Sequence, residues 1–539
     1  MRGMKARWVL GLAACAALSA EAFELDKSVM SDKYWQIWSP AEQARIDADI
    51  ERFRKADMEV EGLPAGVEVK VDQLTHAFVF GAHLFNFNQL GSDERNARHQ
   101  AMFGHDSLFN SATISFYWRP FEPEEGKPRF AAAYEDTAEY WNKLENPWAD
   151  WRWRRPASDP CVEFCEKKGI RSHGHTIAWG SDFWQTPSWY YDKGVAELPF
   201  MKNFLRTVSL SAVDKSQESR GKKGTTGDVF MPYKGSTYGV RYQSDPAKLK
   251  EFLSMSVEEL EAKAPKFVKA LNDIWERRTV ELARHYGKRV QSWDVVNESS
   301  VDYGLGVILP GDKICRSHYG PLPGDYPYVT LKCAEKAFPP EVKLNINDYQ
   351  FGYNNAYGRQ VTELLRRGAK VDIVGAQMHL FDYKKTLGIA AGEEIQTPKQ
   401  VRAIMDRLAA PGRPIHLSEI TVTSPGDDEK GRMIQAVALY NLYRLWFSIQ
   451  PMMGITYWNT VDDCGAPGEP KWSGIMTRDV QPKPAYYALD RLVNKEWKTH
   501  LSVKTDADGK LAFRGFRGLY RLTWKDADGT TRTREVRVD

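Results

Sequence analysis

The chain has 539 residues, with 74 Lys and Arg against 71 Asp and Glu, for a net charge of +3. That length exceeds one ordinary compact domain and fits a large barrel with smaller pieces attached. The near-balance of charge argues against nucleic acid or an anionic membrane surface as a partner, while an apolar share of 42% allows a large core.

Arg2, Lys5 and Arg7 precede an apolar stretch from Trp8 to Leu18, followed by the small-x-small site Ala20-Glu21-Ala22. Residues 1–22 read as a secretory signal peptide, too short for a stable membrane helix. The expected product is secreted or periplasmic, and its net charge falls near +1 once three cations and Glu21 are removed. An alternative takes Leu12-Ala13-Ala14-Cys15 as a lipoprotein box, which would anchor the chain through a lipid on Cys15. No other segment is apolar enough to span a bilayer. Six Cys occur; without Cys15 the number is odd, so at least one is unpaired. Cys315 and Cys333 flank a Gly/Pro-rich loop, and a bridge between them is an open alternative.

Residues 23–77 read as a lead-in. A helix is predicted over 40–62, from Pro40 through Ile46, Ile50, Phe53 and Met58 at mostly helical spacing. Val67-Glu68-Val69-Lys70-Val71 alternates as a strand does. From Phe78 to about residue 495, strands and helices alternate. The candidate strands are Phe78–Gly81, Ser111–Phe116, Ile170–Ala178, Val290–Val296, Val342–Ile346, Ile373–Met378, Ile415–Ile420 and Ile455–Trp458. Gly169 stops one helix. A capping box, Ser256-Val257-Glu258-Glu259, opens a long one ending at Gly287, and Lys430–Ile449 is another. Eight strand–helix units predict an α/β fold, a (β/α)8 TIM barrel, over an open doubly wound sheet. Two insertions, roughly 190–255 and 299–325, follow strands and belong on the catalytic face. Residues 496–539 alternate between Asp-Gly turns and predict a small C-terminal antiparallel β module, with Phe513, Phe516 and Tyr520 as its own core.

The strand ends carry the chemistry. The third gives His173-Gly174-His175-Thr176-Ile177-Ala178-Trp179. The fourth gives Trp293-Asp294-Val295-Val296-Asn297-Glu298, the fifth Asn347-Asp348-Tyr349, and the sixth Gln377-Met378-His379. The seventh gives Glu419 and the eighth Trp458-Asn459. Barrel enzymes keep their sites at these ends. Two carboxylates facing one cleft are the minimum machinery for cleaving a glycosidic bond. Amide and imidazole donors beside aromatic rings suit a sugar-lined gap. Asp294 reads as a structural partner of His175, and Asp348 as a helix-cap or network residue. The His173/His175 pair invites a zinc reading, but further ligand matches and tight Cys-x-x-Cys pairs are missing. No metal or cofactor is expected.

These motifs resemble glycoside hydrolase family 10, the xylanase-type retaining enzymes, in order from about Phe78 to Leu492. The resemblance implies a secreted endo-β-glycosidase acting on β-1,4-xylan or a related hemicellulose. Its partner is a polysaccharide or oligosaccharide substrate, and the protein is a monomer. It implies Glu298 as acid/base and Glu419 as nucleophile, with carboxyl groups about 5–5.5 Å apart and the higher pKa on Glu298. Asn297 and Gln377 would contact the reacting sugar, His379 would orient Glu419, and His175 would bind a hydroxyl. Trp179 and Trp458 would wall the site, and Trp118 would contact sugar.

The sequence departs from the family on the second strand, where Thr113-Ile114-Ser115-Phe116-Tyr117-Trp118 keeps only the Trp. It departs again at Gly180, at Thr421 in place of an Asp, and at Asn459 in place of a Gly. Neither Glu is affected. Two alternatives remain: a non-catalytic or weakly active glycan-binding barrel, and a metal-dependent hydrolase.

Overall fold

The computed structural model describes residues 24–539 except 145–146, 148–154, 181–184, 203–204, 211–238, 245, 309–312, 318–319, 350–354 and 466–468. The leader, Cys15 and much of the first insertion lie outside the described residues. Among the described residues no helix is long and apolar enough to cross a membrane.

Eight parallel strands close a barrel in chain order. They are Val79–His83, Ser111–Ser115, Arg171–Trp179, Ser292–Asn297, Lys343–Asp348, Ile373–Leu380, Ile415–Val422 and Met452–Tyr457. Each coincides with a strand predicted from the sequence. They were legible because a barrel strand is covered on both faces and so reads as an apolar run; all eight residues of the seventh strand are buried. Pairing slips at several points, some low in the barrel, between Asn345 and Ile346 and between Ile415 and His416, and others nearer the upper rim. The register shifts between His175 and Ala178, between Gly375 and Gln377, and between Leu417 and Ile420. Such irregularities re-aim side chains beside active sites.

Helices cover the barrel. The capping box is present: Ser256 Oγ accepts from Glu259 N at 3.1 Å, and Glu259 Oε2 accepts from Ser256 N at 2.7 Å. The helix it opens breaks at Ala264, because Pro265 cannot supply an amide proton to continue it. Two helices therefore stand where one was predicted, Val257–Lys263 and Pro265–Tyr286.

The helix predicted over 40–62 ends at Arg54. Lys55–Val60 is instead a strand, paired antiparallel with Leu511–Phe516. Tertiary pairing overrides local helical preference there. Glu68–His76 lies between His500–Lys504 and Gly518–Lys525, with Thr531–Val538 on the outer edge. The lead-in and the C-terminal module thus interlock in shared sheets around Val60, Val69, Val71, Leu511, Tyr520 and Leu522. Phe513 and Tyr520 belong to that small core, whereas Phe516 packs into the main one. No disulfide joins Cys315 to Cys333, so the bridge considered between them does not form.

Candidate active site

Glu298 stands one residue past the fourth strand with a left-handed backbone, φ 56°. A non-glycine residue there stores about 1–3 kcal/mol of strain, a condition that clusters at functional sites. Its N–H donates to the carbonyl of Asn347 at 2.8 Å, which ties the strained residue to the fifth strand. Glu419 lies within the seventh strand and is buried.

An amide relay joins the two carboxylates. Gln377 Nε2 donates to Glu298 Oε1 at 3.0 Å and to Asn297 Oδ1 at 3.2 Å. Asn347 Nδ2 donates to that same Asn297 oxygen at 3.0 Å and to Glu419 Oε1 at 2.7 Å. The Ser418 hydroxyl donates to Asn347 Oδ1 at 2.6 Å and fixes which way that amide faces. Trp179 Nε1 adds a bond to Glu298 Oε2 at 3.0 Å. On the far side, His379 Nε2 lies 3.2 Å from Glu419 Oε2, and His175 Nε2 lies 3.8 Å from Glu419 Oε1.

Burial raises both carboxyls. Glu298 is pushed up to about 7, with the charges on Glu419 and Asp348 adding to the effect and the Gln377 and Trp179 bonds opposing it. Glu419 is pushed up to about 8 by burial, and Asp294 and Glu469 add to it against His175 and Asn347. Both carboxyls are thus held above the ordinary carboxylate range by the same cause, burial. Interacting carboxyls titrate as a unit, so the two raised values belong to the pair.

Asp294 serves as the structural partner expected of it. His173 Nε2 and His175 Nδ1 lie 2.9 and 2.8 Å from its Oδ2. Burial opposes its charge, yet the two imidazoles hold the carboxyl well below the usual range. The pair that invited a zinc reading is thus spent on one carboxylate. Asp348 accepts from the backbone N–H of Ser300 at 2.9 Å and of Tyr349 at 2.8 Å, as a cap and network residue does.

Phe85, Tyr117 and Trp458 form an aromatic wall with Trp179 packed against it. The Trp458 ring stands 5.2 Å from that of His175, and the guanidinium of Arg155 covers Phe85 at 4.5 Å. Trp118 is not part of this wall. It is fully buried among Trp189, Tyr190 and Trp275, and its Nε1 donates to Glu122 Oε2 at 2.7 Å. Its predicted sugar contact is therefore corrected to a packing role beneath the second strand. The other candidates, His175, Trp179, Asn297, Glu298, Gln377, His379, Glu419 and Trp458, converge on one gap.

Asn347 and Ser418 were missed as site residues. Their signal was available: Asn347 ends the fifth strand level with Asn297, and Ser418 adjoins Glu419. Phe85 and Tyr117 follow the first and second strands, where an aromatic residue alone carries no mark of a site.

Residues 255–491 match the sequence model of glycosyl hydrolase family 10. The match covers less than half of the chain. The matched segment holds five of the eight strands and both glutamates, and it excludes the second strand. Endo-1,4-beta-xylanase C of Paenibacillus barcinonensis is 30% identical over 235 residues, covering 39% of this chain and 20% of that protein. Endo-1,4-beta-xylanase B of Thermotoga neapolitana is 26% identical over 238 residues, covering 42% of this chain and 63% of that one. This chain thus spans less than two thirds of either relative. Xylanase 10B from Thermotoga petrophila RKU-1, solved with xylobiose, superposes with a TM-score of 0.47 at 18% identity, over 78% of this chain and 95% of the other.

Proposed function

We propose that the barrel is a retaining glycosidase that cleaves β-1,4-xylan or a related hemicellulose by double displacement. The observation that carries this reading is the amide-linked pair of Glu298, just past the fourth strand, and Glu419, within the seventh. Glu298, the more open carboxyl, donates its proton to the departing glycosidic oxygen. Glu419 attacks the anomeric carbon and forms a glycosyl ester; Glu298 then takes a proton from the water that releases the sugar. The proton belongs on Glu298 at the moment of attack, because Asn347, His379 and His175 all face Glu419 and favour its ionised form. Asn297 and Gln377, bonded to each other beside Glu298, would contact the reacting sugar. Similarity to xylanases favours xylan as the substrate, and the leader-like N-terminus favours export.

A 2-deoxy-2-fluoroxyloside with a good leaving group tests the assignment. Mass spectrometry of digested protein is expected to find the label on Glu419. Label on another residue, or none with the wild-type protein, rejects these roles. Glu298→Gln and Glu419→Gln are each expected to reduce reducing-end release from xylan by more than about 1,000-fold.

A further inference from the structure

The imidazole that faces Glu419 has a hydroxyl behind it. His379 Nε2 lies 3.2 Å from Glu419 Oε2, and His379 Nδ1 lies 3.0 Å from the Thr421 hydroxyl oxygen. Thr421 is fully buried, two residues along the same strand as Glu419. The ring is clamped: Phe381 stacks on it at 4.3 Å and 9°, and the edge of Trp458 stands 6.2 Å away.

We propose that Thr421 is a positioning residue whose hydroxyl donates to Nδ1 of His379, so that a neutral imidazole presents its Nε2–H to Oε2 of Glu419. A neutral imidazole has one N–H, and its other nitrogen must accept. When Glu419 is ionised it can only accept, so the N–H belongs on Nε2, and Nδ1 then needs a donor. Threonine supplies one; an aspartate would supply an acceptor and call for a second ring proton. Burial supports the neutral ring, pushing His379 down to about 4 although the charges of Glu469 and Glu298 oppose this. The charged groups facing the ring are Glu419 on its neighbouring strand, Glu298 past the fourth strand, and Glu469 in the loop after the eighth. The inference rests on the nucleophile role proposed for Glu419, and it means that no imidazolium assists ionisation of that carboxylate.

Two measurements test it. Long-range proton–nitrogen spectra of histidine-labelled protein, with His379 assigned through His379→Gln, are expected to show the Nε2–H form in the wild type and loss of that preference in Thr421→Val. An Nδ1–H wild type, or a Thr421→Val ring unchanged from wild type, overturns the proposal. The pH profile of kcat/KM on an aryl β-xyloside gives the second. Thr421→Asp should place an imidazolium beside Glu419 and move the acidic limb down by about one to three units. Thr421→Val should lower kcat roughly tenfold with little change in KM, and Thr421→Ser should restore it. An acidic limb unmoved in a folded, active Thr421→Asp protein overturns the proposal. Absence of turnover by the wild type would instead overturn the glycosidase reading, and the imidazole spectra would decide the role of Thr421 alone.

Discussion

Glu298 keeps a raised pKa through a specific neighbour as well as through burial. Asp348 is buried, its carboxylate accepts from two backbone N–H groups, and its charge opposes that of Glu298. Asp348→Asn removes that charge, so the pKa of Glu298 should fall. In the proposed mechanism the acid must be protonated, and the basic limb of kcat/KM should therefore move to lower pH; a profile identical to wild type would show that Asp348 has no electrostatic role. A second consequence concerns stability. Glu419 goes from an ordinary carboxylate value unfolded to about 8 folded. An acid whose folded pKa is raised weakens the fold progressively as pH rises above the unfolded value, up to the folded one. Glu419→Gln should therefore raise the Tm by a few degrees at pH 9 and leave it nearly unchanged at pH 4. Calorimetry at the two pH values checks this, and an equal shift at both would point to packing instead of ionisation.

Single elements are held by features that sequence reading weighed unevenly. Gly174 sits in the third strand against the Trp293 indole, and an added Cβ would fall 2.3 Å from Trp293 Cε3. The glycine inside His173-Gly174-His175 is thus a packing requirement. Gly174→Ala should cost about 1–3 kcal/mol through overpacking, read as a lower denaturation midpoint. Arg54 ends the first long helix and reaches across to another. It donates to the carbonyls of Phe447, Ile449 and Met452 where the helix Glu429–Ser448 runs out of partners, with Phe78 and Phe447 rings 5.0 and 5.2 Å from its guanidinium. Arg54→Met would leave buried carbonyls unpaired and should cost about 1–3 kcal/mol, also measured by denaturation. The eight barrel strands were legible because an apolar run reports burial on both faces, and the nearness of Glu298 to Glu419 because each stands in or just past such a run. Trp118 was misplaced because a tryptophan at a strand end looks the same whether it faces the gap or the core. The strand Lys55–Val60 was hidden because nothing local reveals a partner at 511–516.

The whole molecule is bound together through its two ends. Glu68–His76 is the centre of a sheet whose other members all come from the last forty residues. Residues 496–539 expressed alone would lack that central strand and should show no cooperative melt by circular dichroism. Deleting residues 500–539 should lower the melting temperature of the barrel itself, because Phe516 packs in the main core; a truncated protein melting as wild type would show that the sheet is dispensable. This closure also sets an order of events. Glu68–His76 precedes the barrel in the chain, yet both of its neighbours follow it, so its edges stay unpaired while the entire barrel is synthesised. Pairing across such a separation is intrinsically slow and leaves the waiting strand open to adventitious association. Completion of this sheet therefore waits on residues 500–525, and the barrel is synthesised before the sheet's central strand gains either neighbour.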